Sequence, residues 1–132
     1  MKYSGKLKKH CTVFSYAGEI RFGPPYFNLE IDGLKIADRL FSDNPVWSKD
    51  ENISAIQEWN STKESIGPNM KICVFDFENG REYTGKPIHG YTIPKHFEGN
   101  LLIYEKRDWS KGYEVIKIIE LDLEKIETWR RT

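Results

Sequence analysis

Two cysteines, no Cys-x-x-Cys pair and three histidines in 132 residues leave little material for a disulfide framework or a metal centre. Cys11 and Cys73 can form a bridge only if the fold happens to bring them together, so a reducing compartment, the cytoplasm, is the expected location. No apolar run approaches the roughly 20 residues that cross a bilayer, and the amino terminus lacks the apolar stretch of a secretion signal. No membrane partner is therefore expected. Twenty basic and twenty acidic side chains cancel, so no global field recruits nucleic acid. Glycine-rich phosphate loops, Gly-x-Ser-x-Gly elbows and His-Glu-x-x-His helices are missing too. Neither a cofactor nor an enzymatic activity is expected.

The residues that could carry chemistry do not converge in the sequence. His10 and Cys11 are neighbours, and adjacent side chains on a strand point to opposite faces, which spoils a Cys–His pair. His89 and His96 sit in loop-like contexts without a third ligand at metal-binding spacing. Asp76 and Asp122 stand at turn-closing positions and are expected to cap backbone amides rather than act as acids.

What the chain has is a repeat. Trp47–Trp59 followed by Met70–Gly80 reads like His96–Glu105 followed by Val115–Glu124. Ile53 and Ala55 fall on Leu101 and Ile103, and Phe75-Asp76-Phe77-Glu78 falls on Leu121-Asp122-Leu123-Glu124. Such a period points to a β-hairpin unit used twice. Short runs of β-branched and aromatic residues broken by Gly, Asn, Asp and Pro extend this to the whole chain. Asp32-Gly33 predicts a tight hairpin, Glu78-Asn79-Gly80 another turn, and Ser110-Lys111-Gly112 the turn of the last hairpin. Gly23-Pro24-Pro25 breaks whatever precedes it. Lys2, Lys6, Lys8 and Lys9 suit a charged edge strand.

One segment reads two ways. Ser48-Lys49-Asp50-Glu51 has the form of a capping box, and Ile53, Ile56 and Trp59 lie at near-helical spacing, so a helix from Asp50 to about Ser61 competes with a strand. The strand is preferred because Ile53, Ala55, Gln57 and Trp59 alternate and the repeat partner is strand-like. The expected architecture is one domain, 1–132, all-β and mainly antiparallel, an open blade-like hairpin stack or sandwich with at most short helical turns.

Trp47-Ser48-Lys49-Asp50 with Val74-Phe75-Asp76-Phe77-Glu78-Asn79-Gly80 resembles the middle strands of a β-propeller blade, with Lys49 in place of the usual proline. The chain is too short to close a propeller alone. The span from Phe22-Gly23-Pro24-Pro25 through Trp47-Ser48, Gln57-Glu58-Trp59 and Ile103-Tyr104-Glu105-Lys106 resembles small bacterial immunity proteins, paired with contact-dependent or type VI toxins. That resemblance implies a stoichiometric inhibitor whose partner is a cognate toxin domain, and which is a monomer or weak dimer when unbound.

A basic nuclease cleft would suit an aromatic anchor ringed by carboxylates. Trp59 with Glu58 opens the longest polar connection, Glu64 lies within it, and Asp50 and Glu51 add negative charge. Trp109 beside the last turn completes the expected toxin-binding set. The alternative is a carbohydrate- or small-ligand-binding β-module, with Trp109 and Tyr113 as its aromatic platform.

Overall fold

The computed structural model describes residues 2–6, 9–20, 23–108 and 114–132, and of residues 2–6 and 114–116 the backbone alone. The turn Ser110–Gly112 and the residues Trp109 and Tyr113 lie outside the described residues.

Strands account for most of the chain, their sheets are antiparallel, and they do not close into a barrel. The only helical element among the described residues is one 3-10 turn, Leu123–Lys125. The larger sheet runs in the order β1 (Lys2–Lys6), β2 (Cys11–Glu19), β3 (Pro25–Ile31), β5 (Leu40–Phe41), β7 (Ile53–Ser61), β8 (Asn69–Asp76), β9 (Arg81–Thr84) and β13 (Arg130–Arg131). Two-residue strands β4 (Leu34–Lys35) and β6 (Val46–Trp47) pair with β3 and β7. The smaller sheet is β10 (Gly90–Glu98), β11 (Leu101–Asp108) and β12 (Glu114–Asp122).

The larger sheet curls around its own apolar face. Phe14, Phe27, Leu29, Phe41, Ile56, Cys73 and Phe75, drawn from β2, β3, β5, β7 and β8, form one core. On the opposite face, Ala55, Ile72 and Val74 pack against Leu102, Tyr104 and Leu123 beneath the smaller sheet. Strand β10 lies across β6, β7 and β8. Both faces of β7 and β8 are therefore covered, which explains the nearly unbroken burial from Ser54 to Trp59 and from Ile72 to Asp76.

The competition over residues 50–61 resolves as a strand. Ser48 to Asn52 form the β6–β7 hairpin loop, with the Ser48 amide donating to the Ile53 carbonyl. The Asp50 carboxylate accepts from the Ser48 hydroxyl and the Asn52 amide, and Glu51 takes a left-handed φ of 62°. The polar side chains that resemble a helix cap thus satisfy the backbone of a turn instead.

The repeat survives down to hydrogen bonds. Ile53 pairs with Asp76 in β7–β8, and its counterpart Leu101 pairs with Asp122 in β11–β12. The Phe77 amide donates to the Asn52 carbonyl and the Leu123 amide to the Asn100 carbonyl, both at 2.9 Å. Asp76 accepts from the Asn79 amide and Asp122 from the Glu124 amide, so both carboxylates cap turns. The two hairpins belong to different sheets and pack face to face, rather than standing side by side in one blade.

Asp32-Gly33 makes its hairpin turn with φ of 53° and 83°, the left-handed pair that glycine adopts without strain. Strand β3 begins at Pro25 and β1 is an edge of the larger sheet.

Candidate functional site

At one end of the first core, the concave face of the larger sheet turns polar. Glu58 on β7 stands directly opposite Lys71 on β8, and Glu82 on β9 stands opposite Phe75. Between them reaches Arg39, placed by the short connection from β4 into β5, where Asp38 takes a φ of 61°. Its Nε and Nη2 grip the two Glu58 oxygens at 2.9 and 2.8 Å. Its Nη1 and Nη2 reach the two Glu82 oxygens at 3.0 and 2.8 Å. The guanidinium lies over the Phe41 and Phe75 rings, 5.5 and 5.8 Å from their centroids. Lys71 Nζ stands 3.9 Å from Glu58.

Burial works against the Arg39 cation, but its bonds to Glu58 and Glu82 win and raise its pKa. Cys73 lies 3.5 Å from Arg39 Nη2. Burial, reinforced by Glu58, pushes the Cys73 thiol well above its ordinary pKa, so it stays neutral and is a poor nucleophile. The network forms the floor of an open depression of about 570 Å³, whose walls include Asn60, Thr62, Lys63 and Arg130. Two carboxylates already saturate the arginine, which makes this cluster a structural clasp between β5, β7 and β9.

A second polar surface lies where both repeat turns meet. Asp50 and Glu51 stand on the β6–β7 turn, Glu78 on the β8–β9 turn, Glu98 at the end of β10 and Glu124 after β12. A groove of about 490 Å³ between the sheets joins Ser48, Asp50 and Ile53 to Phe97, Asn100 and Leu123. Asn52 Nδ2 bonds Glu78 at 3.4 Å, and Asn100 Nδ2 bonds Glu124 at 2.9 Å, the same contact in each repeat. The Ser48 hydroxyl and the Asn52 amide hold the Asp50 carboxyl below its usual pKa. Lys9 donates to Asn52, and His96 sits 2.8 Å from Glu98.

The expected toxin-binding residues do not form one face. Glu58 and Trp59 are corrected outright as surface residues, being 3% and 5% exposed. Glu58 is bound to Arg39, and Trp59 packs with Ile20 and Met70 and meets Tyr26 edge-on at 5.7 Å. Their substitution would report on folding before it reported on recognition. Glu64 is exposed in the β7–β8 connection. Asp50 and Glu51 lie beyond the other end of the nine-residue β7, about 30 Å away at the usual rise per residue. Trp109 lies outside the described residues.

Sequence reasoning missed Arg39 and Glu82. The Arg39 partners are 19 and 43 residues distant, beyond any local pattern. The available signal was Glu58 itself, two residues after Ile56 on a strand and therefore on the same, buried face. His89 bonds the Ile66 carbonyl before β10, and His96 lies towards that strand's far end. Among the described residues no three His, Cys, Asp or Glu side chains gather as a metal site. Both cysteines are free. No helix among the described residues is long and apolar enough to cross a membrane. No family model, curated protein or solved structure matches the chain.

Proposed function

We propose that the chain is an immunity-type inhibitor, a non-catalytic β protein that covers the cleft of a cognate toxin domain in the cytoplasm of the producing cell. The observation that carries this reading is the acidic end of the molecule. In a chain with no net charge, Asp50 lines one inter-sheet groove together with Lys49; Glu78 and Glu124 are tied through Asn52 and Asn100 to the two turns that border it, and Glu51 and Glu98 stand on the adjoining turn and strand end. Their turns are stiffened by side-chain bonds from Asn52, Asn100 and Ser48. Carboxylates fixed on a rigid rim suit a basic cleft such as that of a nuclease, steering encounter and fixing orientation. The apolar groove edge at Ile53, Phe97 and Leu123 offers an anchor point at the centre. Inhibition is by occlusion, across an interface of about 1,600 Å² in total.

The test is charge reversal at exposed positions only. The triple variant D50K/E78K/E124K is expected to keep its fold by circular dichroism and to lose at least about 100-fold in affinity for the toxin domain. Full protection of toxin-expressing cells by that variant would remove this end from the interface.

A further inference from the structure

A different cleft, at the mouth of the curled sheet, has the make-up of a small-molecule site. It holds about 400 Å³, and its apolar wall is Ile31, Leu34, Ile36, Phe75 and Phe77. Leu34, on β4 just after the Asp32-Gly33 turn, is 76% exposed, a large apolar side chain with almost nothing covering it. A concave apolar wall with a few convergent polar groups is the usual form of a ligand pocket.

The polar groups around it are unequal in what they have left to offer. Asp32 is occupied on both oxygens, by the Cys11 amide and by His10 Nδ1. Asp76 is held by Asn79 and Arg81, and Glu82 is held on both oxygens by Arg39. Arg81 differs. Its Nε is fixed on Asp76 at 2.9 Å and its plane lies over Trp129, 4.2 Å from the ring centroid. Its two Nη groups have no hydrogen-bond partner among the described residues. A guanidinium oriented from two sides with its outer fork unspent is prepared for a carboxylate. The neighbouring carboxylates Asp32, Asp76 and Glu82 set a limit, because like charge disfavours a dianion such as a phosphate monoester.

We infer that this cleft binds an amphiphilic monocarboxylate, an apolar acid of roughly ten carbons, its tail on Leu34, Ile36 and Phe77 and its head group on the Arg81 fork. The site is separate from the acidic end and does not depend on the inhibitor reading.

Calorimetric titration of the full chain with decanoate, decanol and decylamine tests it. Decanoate is expected to bind saturably at one site, with decanol and decylamine each at least about tenfold weaker. In R81Q the advantage of decanoate over decanol should vanish. In L34E, altered at an exposed position where folding is indifferent, decanoate and decanol should both weaken. The inference is overturned if decanoate shows no saturable binding up to about 1 mM, if decanol binds as well as decanoate, or if R81Q keeps the carboxylate preference. Should R81Q fail to fold, the head-group series and L34E still decide.

Discussion

Replacing Arg39 with leucine should cost more than any other single surface-reaching change. The Glu58 and Glu82 side chains are 4% and 12% exposed, and Arg39 supplies four of their contacts. Removing one partner of a buried ion pair costs about 3–5 kcal/mol, because the remaining charge is left desolvated. Here two carboxylates are orphaned, but Lys71 stays 3.9 Å from Glu58 and Arg39 itself is 22% exposed, which moderates the figure. About 3 kcal/mol at pH 7.5 is the expected loss, out of a total stability of about 5–15 kcal/mol. With a urea slope of about 1.5 kcal/mol/M, the unfolding midpoint falls by about 2 M. The variant R39M/E58M/E82M should recover most of the loss, since no charge is left behind. Urea titrations of the three proteins at pH 7.5 would settle it. A loss below about 1 kcal/mol in R39L, or a triple variant no more stable than R39L, would refute the clasp.

Further outcomes follow from the same geometry. Cys73 is fully buried with a raised pKa, so a thiol reagent should label only Cys11 in the native protein and both cysteines in denaturant; native labelling at both would contradict the packing. For Asp32, burial alone would raise the pKa, but the Cys11 amide and His10 outweigh it and the carboxyl is lowered. A lowered folded value stabilises above the unfolded pKa and is lost as pH falls through the folded one, so D32N should weaken the protein near neutrality and approach wild type in acid. Thermal melts between pH 3 and pH 7 would show it. D76A, which removes partners from Asn79 and Arg81, should cost about 1–3 kcal/mol, and D122A less, since only the Glu124 amide loses its acceptor. Equal effects would mean that the two repeat turns are stabilised in the same way.

The sequence made much of this fold readable because its strongest signals are local. Asp32-Gly33, Asn79-Gly80 and the paired turns around Asn52 and Asn100 are short-range backbone devices, and each closes where its residues indicate. The same locality misled at Glu58 and Trp59. Polar neighbours suggested a surface position, whereas β7 is buried on both faces and the charge of Glu58 is cancelled by Arg39, 19 residues earlier. Helical spacing of Ile53, Ile56 and Trp59 misleads for the same reason, since a strand covered on both sides need not alternate. Of the expected recognition residues, Asp50 is exposed and Glu51 half-buried on the same turn, since turn residues stay near the surface whatever the tertiary packing. Glu78, Glu98 and Glu124 stand at the ends of three different strands, β8, β10 and β12, whose sheets face each other across the groove between Asp50 and Asn100.

The most direct test of the inhibitor reading is to assay the product of the neighbouring gene for toxicity and to titrate this protein into it calorimetrically, at low and high salt. The account predicts a one-to-one complex that weakens with salt, abolishes toxin activity and leaves both chains chemically unchanged. Absence of binding, or turnover of any substrate by this chain alone, would contradict it.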